Sequence, residues 1–136
     1  MAEESPVLSR EHKMSNIVVV DDDADILGLL EYKLTAAGHT VTAEADGEAG
    51  LAAIHEVKPD LVVLDWMMPR MTGIEVCLEL RKDPAMADVP VLFLTAKAQE
   101  SDVQRGFAAG GNDYVVKPFS PRELSTRIDA LLARAR

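Results

Sequence analysis

Short runs of branched apolar residues alternate along this chain with stretches in which apolar residues recur every three or four positions. The runs occupy positions 17–20, 61–64, 91–94 and 114–116. A continuous apolar run of this length is typical of a parallel strand that is buried on both faces. Positions 40–44 alternate between polar and apolar residues, which predicts a strand nearer the edge of the sheet.

The stretches between the runs have the periodicity of amphipathic helices. In the first stretch, Asp23 or Asp25 can cap the helix and Gly38 can end it. The stretch near 101–109 is poor in large apolar residues, so we expect its helix to be the least firmly anchored. The predicted inward-facing residues are Ile26, Leu27, Leu30 and Leu34 in the first helix, Ala49, Leu51, Ala52 and Ile54 in the second, Ile74, Cys77, Leu78 and Leu80 in the third, and Leu124, Ile128, Leu131 and Leu132 in the fifth.

Five strands that alternate with five helices predict a parallel sheet covered by helices on both faces. Because crossover connections are right-handed, the strand order must reverse somewhere for both faces to be covered. Ligands bind beyond the carboxyl ends of the strands at that reversal. We therefore expect the chemistry of this chain at the carboxyl edge of the sheet.

Polar and charged residues follow four of the five predicted strands. Asp21 and Asp22 follow the first, Asp65 the third, Thr95 the fourth and Lys117 the fifth. Each alone has an ordinary explanation, since an aspartate run after a strand is most often a helix cap in a solvated turn. Their conjunction at one edge indicates a site. Carboxylates without histidine or cysteine partners suit Mg²⁺ or Mn²⁺, and a carboxylate can be a nucleophile toward a phosphoryl group.

The composition of the chain argues against several classes of protein. At 136 residues with 48% hydrophobic content, the chain suits one compact domain. A net charge of -9 without a cluster of basic residues argues against direct nucleic-acid binding. The single cysteine, Cys77, cannot form an internal disulfide, and no apolar run approaches the roughly 20 residues that cross a bilayer. We expect a cytoplasmic protein with no membrane contact, a flexible extension at 1–15 and one domain at 16–136.

Four motifs resemble the receiver domain of two-component response regulators, the family that includes the bacterial chemotaxis regulator. They are Val-Val-Val-Asp-Asp-Asp at 18–23, Leu-Asp-Trp-Met-Met-Pro at 64–69, Leu-Thr-Ala at 94–96 and Tyr-Val-Val-Lys-Pro-Phe at 114–119. They stand in the family's order, and the resemblance covers residues 16–136. It implies a flavodoxin-like, doubly wound (βα)5 fold, which is a three-layer sandwich around a parallel five-stranded sheet in the order 2-1-3-4-5.

The resemblance implies roles in phosphoryl transfer for several residues. Asp65 would be the phosphoacceptor, and Lys117 would contact the phosphoryl oxygens and precede a cis peptide bond to Pro118. Thr95 would also contact the phosphoryl group, and Thr95 with Tyr114 would form the switch pair that repacks when Asp65 gains charge.

The resemblance also implies the metal ligands. Asp22, Asp65 and the backbone carbonyl of Met67 would bind Mg²⁺ directly, and Asp21 would act through water. Met67 stands where many members of the family have a polar residue, but a backbone contact does not depend on the side chain.

A receiver of this kind accepts its phosphoryl group from a sensor histidine kinase or a histidine phosphotransfer protein, and acts as a switch and not as an enzyme. The surface around the fourth helix, fifth strand and fifth helix would then control a partner or an output domain. Residues 131–136 resemble the junction before a winged-helix DNA-binding domain, so the chain is either a stand-alone receiver or a fragment of a transcriptional regulator. Four charged positions resemble the face through which such regulators dimerise, so a phosphorylation-dependent homodimer is expected. The alternative is that these positions form an ordinary solvated surface. The four residues are Arg105, Asp113, Glu123 and Arg127.

Two other classes of protein share parts of this pattern. A phosphohydrolase of the haloacid dehalogenase type would also use a nucleophilic aspartate with Mg²⁺, but it needs a second acid two residues later, where this chain has Met67. A flavodoxin-like cofactor binder would need phosphate-binding glycine, serine and threonine residues after the first strand, and this chain has aspartates there. Both alternatives are disfavoured.

Overall fold

A computed structural model of the chain describes residues 14–96 and 100–135. The expected flexible extension lies outside these residues except for its last two positions. After the helix that ends at Arg81, the chain also forms a short 3-10 turn at Pro84–Met86. The strands and helices are β1 (Asn16–Val20), α1 (Ala24–Ala36), β2 (Thr40–Glu44), α2 (Gly47–Val57), β3 (Leu61–Asp65), α3 (Gly73–Arg81), β4 (Val91–Thr95), α4 (Glu100–Ala108), β5 (Asp113–Val116) and α5 (Pro121–Ala135).

All five strands are parallel and lie in the order β2-β1-β3-β4-β5. This order confirms the predicted flavodoxin-like sheet and places β2 at its edge. Every residue of β3 and β4 is buried, which explains why both strands are apolar up to their last residues, Asp65 and Thr95. The order reverses between β1 and β3, so the connections leaving these two strands diverge at their carboxyl ends.

Side chains of successive strand residues alternate between two apolar clusters, one on each side of the sheet. On the first side, which we call the α2–α3 face, strand residues such as Val62 and Phe93 pack with Ile54 of α2 and Leu80 of α3. On the other side, the α1–α5 face, the strands pack against both remaining long helices through Leu30, Leu34, Leu124, Ile128, Leu131 and Leu132. The predicted apolar stripe of the fifth helix is therefore confirmed.

Two helix starts are set by side chains that accept hydrogen bonds from free backbone N–H groups. Asp23 is the cap of α1, where its carboxylate accepts from Asp25 N at 2.9 Å. Thr72 and Glu75 form a reciprocal capping box at the start of α3. Gly38, the predicted terminator of α1, follows the last turn with a φ of 101°.

Two of the residues predicted to face inward do not do so. On α2, Ala52 is exposed and its neighbour Ala53 is buried. On α3, Leu78 is 47% exposed, whereas Val76 is fully buried. Successive residues of a helix are about 100° apart around its axis, so an error of one position in an apolar stripe assigns a side chain to the wrong face. Among the described residues, no helix has both the length and the apolar character that crossing a membrane requires.

Candidate functional site

The sheet brings the predicted site residues together at its carboxyl edge. Asp21 directly follows β1, and Asp65 and Thr95 are the last residues of β3 and β4. Lys117 follows β5, and its backbone N–H donates to Thr95 O at 2.7 Å. The side chains of Asp21, Asp65 and Thr95 are all buried, although each is polar or charged. Buried polar groups of this kind require partners, and Asp23 N–H donates to Asp21 Oδ1 at 2.8 Å.

Lys117 reaches into the acidic group. Its Nζ atom lies 3.1 Å from Asp21 Oδ2 and 3.2 Å from Asp65 Oδ1, and its side chain is only 18% exposed. Burial would lower the pKa of Lys117, but contacts with Asp21 and then Asp65 outweigh burial and raise the pKa above its ordinary value. The ammonium group therefore stays charged at neutral pH and bridges two strand ends.

Three carboxylates at this edge fit a divalent cation. One oxygen from each of Asp21, Asp22 and Asp65 lies within 4.8 Å of the other two. Asp21 Oδ2 is buried and has no aligned hydrogen-bond donor among the described residues, so its contact with Lys117 is an ion pair only. A buried carboxylate oxygen beside two further carboxylates suits a hard cation such as Mg²⁺. Asp22 is exposed, which leaves one side of the group open.

Asp65 has an unusual affinity for protons. Burial and then the neighbouring charge of Asp21 raise its pKa to about 7, and Lys117 opposes this shift only in part. Without a cation, a fraction of the Asp65 carboxyl is therefore protonated near neutral pH. A carboxylate nucleophile must be ionised, so added positive charge beside Asp65 would favour its reactive form.

Thr95 and Tyr114 lie on the same side of the sheet. Phe93 and Thr95 are two residues apart on β4 and so point to one face, and Tyr114 is paired with Phe93 in the register of β4 and β5. Tyr114 is partly buried against the α2–α3 face. This shared face is the geometry that the predicted switch pair requires.

Sequence reasoning missed two aromatic contacts next to this pair. The ring of Phe107 on α4 meets the Tyr114 ring edge-on, with centroids 6.2 Å apart. Trp66 packs on Phe93 with centroids 5.2 Å apart. The only signal for Phe107 was a large apolar residue in a largely polar stretch. A small cavity joins the two pairs and is lined by Trp66, Phe93, Val103, Gly106, Phe107 and Tyr114.

Sequence reasoning also missed a hydrogen-bonding hub at Arg81, the last residue of α3. Its guanidinium donates to Gly110 O at 2.6 Å, Met86 O at 2.9 Å and Asn112 Oδ1 at 3.0 Å. An arginine at a helix end is usually solvated, so nothing local in the sequence indicates these partners. The hub joins the end of α3 to the segment between α4 and β5.

The family model of the response regulator receiver domain matches residues 17–129, which include every strand except the first residue of β1. The chain is a response regulator receiver domain.

Curated relatives of this receiver domain are transcriptional regulators. The alkaline phosphatase synthesis transcriptional regulatory protein PhoP of Bacillus subtilis is 47% identical over 119 residues, which make up 88% of this chain and 49% of that protein. The DNA-binding dual master transcriptional regulator RpaA of Synechocystis is 43% identical over 121 residues, or 89% of this chain and 50% of that protein. The receiver domain thus spans about half the length of the curated relatives it matches.

Solved structures show the same fold. The chemotaxis protein CheY4 of Vibrio cholerae superposes with a TM-score of 0.84 at 31% identity, covering 87% of this chain and 98% of that one. The BeF3-activated DrrB receiver domain superposes with a TM-score of 0.80 at 37% identity, covering 89% of this chain and 99% of that one. The receiver domain also has the cis peptide bond between Lys117 and Pro118 that the resemblance implied.

Three of the four predicted dimer-face residues of the receiver domain, Asp113, Glu123 and Arg127, contact one another within the chain. Arg127 Nη1 lies 3.1 Å from both carboxylate oxygens of Asp113, and Arg127 Nε lies 3.4 Å from Glu123 Oε2. Arg105 is exposed on α4. Met67 has a side chain that is 62% exposed, and the metal contact of its carbonyl stays a prediction, as does the homodimer.

Proposed function

We propose that this receiver domain accepts a phosphoryl group on Asp65 from a sensor histidine kinase or a histidine phosphotransfer protein. The observation that carries the proposal is the contact of Asp65 Oδ1 with Lys117 Nζ at 3.2 Å, within a group of three carboxylates at the carboxyl edge of the sheet. This arrangement combines a nucleophilic oxygen with a cation that can neutralise transferred oxygens.

The transfer would exchange one bond for another. A carboxylate oxygen of Asp65 would bond to phosphorus while the bond from phosphorus to the donor's imidazole nitrogen breaks, and that nitrogen would keep the electron pair. Lys117 would contact an oxygen of the transferred group. Its second ion pair, with Asp21 at 3.1 Å, would hold the ammonium in place after Asp65 has lost its own charge.

We propose that Asp21, Asp22 and Asp65, together with the backbone carbonyl of Met67, hold the Mg²⁺ ion that this reaction needs. The donor set is made of oxygen atoms and includes a carboxylate oxygen of the buried Asp21, which supports the proposal. Mn²⁺ suits the same oxygen ligands. When bound, the cation would offset negative charge on the phosphoryl oxygens.

When Asp65 gains charge, Thr95 and Tyr114 would move and so alter the surface of the domain. The Thr95 hydroxyl would move toward the phosphoryl oxygens, and the Tyr114 ring would enter the space that it leaves. Because Phe107 of α4 contacts the Tyr114 ring, such a movement would reach the surface formed by α4, β5 and α5.

This surface would control a partner or an output domain in the cytoplasm. The similarity to PhoP and RpaA supports the proposal that the chain is the receiver part of a DNA-binding transcriptional regulator. Its charge of -9 makes direct nucleic-acid binding by this chain itself unfavourable, so DNA contact would belong to an output domain.

The phosphoacceptor is tested with acetyl phosphate and Mg²⁺, followed by intact mass spectrometry. Wild type should gain one phosphoryl group, and Asp65→Asn should gain none. Asp88→Asn is the matched control, because Asp88 is an exposed aspartate that precedes β4 and so lies at the opposite edge of the sheet. A phosphoryl adduct on the Asp65→Asn variant would overturn the assignment. Loss of the wild-type adduct in the presence of a chelator would support the role of the metal.

The homodimer is tested by sedimentation with and without beryllofluoride, a mimic of the phosphoryl group. We expect a monomer that shifts toward a dimer when beryllofluoride and Mg²⁺ are added. Asp65→Asn should remain a monomer under both conditions, since the mimic needs the carboxylate. A wild-type protein that stays monomeric in both samples would contradict the proposed dimer.

A further inference from the structure

The first turn of α2 lies directly against the loop that follows Asp65. Gly47, the first residue of α2, is buried, and a Cβ atom added to it would overlap the backbone oxygen of Met71 and lie 2.9 Å from Met71 Cβ. The obstructing atom is backbone, so rotation of a side chain cannot relieve the overlap. Residue 47 is therefore in close contact with the 66–72 loop, which we call the β3–α3 loop.

The backbone of the β3–α3 loop is constrained at the same point. Arg70 has a φ of 69°, a left-handed conformation that costs free energy for a residue with a side chain. Met71 N–H donates to Pro69 O at 2.7 Å, which closes a tight turn around Arg70. Arg70 Nη2 also lies 3.7 Å from Asp46 Oδ2, and Asp46 caps α2 by accepting from Ala49 N at 2.8 Å.

The other end of the β3–α3 loop is pressed against β3. Gly73 N–H donates to Trp66 O at 3.0 Å, and a Cβ atom on Gly73 would overlap the backbone oxygen of Asp65. Met68, in the middle of the loop, is buried in the α2–α3 face. The loop is thus held at Asp65 by β3 and Gly73, and near Met71 by α2.

We propose that Gly47 is a positioning residue for the phosphoacceptor site, an inference that rests on the proposed function. The absence of a side chain at residue 47 lets the β3–α3 loop approach α2, and this approach sets the position of the Met67 carbonyl relative to Asp65. A larger residue would push the Met71 backbone away, and Pro69 with its fixed φ would transmit the displacement toward Met67.

Metal sites are sensitive to such displacements. A ligand must be held within about 0.5 Å of its productive position, and residues that only orient the ligands commonly change metal affinity by about 10- to 100-fold. We therefore expect Gly47→Ala to raise the Mg²⁺ dissociation constant at least about tenfold. The rate of phosphorylation by acetyl phosphate at limiting Mg²⁺ should fall by the same factor.

The matched control is Gly28→Ala. Gly28 also lies in a helix, but a Cβ atom added there would meet nothing within 4 Å, so this variant should bind Mg²⁺ as wild type does. Binding is measured by calorimetry and by the fluorescence of Trp66, the only tryptophan of the chain. Thermal unfolding is recorded for each variant, and binding is compared at a temperature at which all are folded.

A second readout needs no metal. In metal-free Gly47→Ala, the Gly73 amide should exchange with solvent faster than in wild type, because its hydrogen bond to Trp66 O belongs to the displaced loop. A purely structural role for Gly47 would lower the unfolding temperature and leave the Mg²⁺ affinity of the folded variant unchanged. That result would overturn the inference.

The outcomes separate this inference from the proposed function. If wild type neither binds Mg²⁺ nor gains a phosphoryl group, both fail. If wild type does both and folded Gly47→Ala binds equally tightly, only the positioning role fails. Should Gly47→Ala not fold, Gly47→Ala/Met71→Gly takes its place and is compared with Met71→Gly alone. The Met71 oxygen still obstructs a Cβ atom at residue 47, but glycine at 71 lets the backbone shift to admit it. Equal Mg²⁺ affinity in these two folded variants would also overturn the inference.

Discussion

Helices α4 and α5 stand on either side of β5 in the chain, yet the structure holds them in different ways. Helix α5 buries Leu124, Ile128, Leu131 and Leu132, each at most 3% exposed. Among the described residues of α4, the one that is buried is Gly106, which has no side chain, and Phe107 is 47% exposed. The free energy that opposes displacement scales with buried apolar area, so moving α5 costs far more than moving α4. This agrees with the expectation that the fourth helix is the least firmly anchored.

Polar contacts replace apolar burial at the carboxyl end of α4. Arg81 donates to Gly110 O, and the Cys77 thiol donates to Ala109 O at 3.3 Å. Burial raises the pKa of Cys77 to about 11, so it remains a thiol and keeps this donor. Hydrogen bonds are directional, so they fix one end of a helix without fixing its whole length. We expect α4 to move about this end and α5 to stay in place.

The largest expected effect tests the anchor of α5. Leu131→Ala should lower the free energy of unfolding by about 2–5 kcal/mol, because it leaves a cavity in the α1–α5 face. Phe107→Ala on α4 should cost less than Leu131→Ala, since its ring is 47% exposed and its edge contact with Tyr114 adds only about 0.5–1.5 kcal/mol to the area it buries. Urea unfolding measures both. Equal losses would break the contrast between the two helices.

The second prediction is that the Asp65 site lowers the free energy of unfolding, whereas the apolar contacts of helices such as α5 raise it. The Asp65 carboxyl titrates near 3.8 when unfolded and near 7 when folded, so between these values the folded state retains a proton that the unfolded chain has released. The contribution of Asp65 to stability therefore falls as pH rises from about 4 to 7 in metal-free protein. Asp65→Asn removes this cost and should stabilise the protein at pH 8 by on the order of 2–4 kcal/mol.

The same substitution should have a smaller effect at pH 5, where most of the cost has not yet developed. Urea unfolding with a chelator at both pH values measures the difference. A stabilisation of equal size at pH 5 and pH 8 would mean that the raised pKa is not its cause.

The polar contact at the end of α4 is tested by Arg81→Met. The change leaves the carbonyls of Gly110 and Met86 without this donor and should cost about 1–3 kcal/mol. Lys82→Met is the matched control, because Lys82 forms an exposed ion pair with Glu79 and its loss should cost at most about 1 kcal/mol. Hydrogen exchange should accelerate in α4 and not in α5. Equal acceleration in both helices would refute the separate anchoring.

The smallest effect concerns the surface of α5. Arg127→Ala removes the ion pairs with Asp113 and Glu123, but the Arg127 side chain is 41% exposed, so the loss should be at most about 1 kcal/mol. The difference from wild type should shrink as salt is added, because solvent screens exposed charges. A larger loss that does not respond to salt would show that α5 depends on its surface and not only on its apolar stripe.

Local sequence patterns were sufficient to predict where the strands and helices lie, but not which face of some helices is buried. Four strands lie where continuous apolar runs predicted them, because a buried parallel strand tolerates few polar residues, and β2 lies where the alternating residues at 40–44 predicted a strand nearer the edge. The inward positions of α5 were also predicted, since its apolar residues form one clear stripe. The predictions for Ala52 and Leu78 were wrong because the apolar residues of α2 and α3 are spread more evenly around each helix. Spacing alone therefore does not show which of two nearby apolar residues faces the core.

The sequence by itself determined the order of the elements, the edge of the sheet at which the candidate site lies, and the residues that meet there. Side-chain period and strand direction place Asp21, Asp65 and Lys117 at one edge in any parallel sheet of this order. Only the tertiary structure decided which segments hold that edge and α4 in place. The contacts of Gly47 with Met71 and of Arg81 with Gly110 join residues far apart in the chain, and no local period encodes the distance between them.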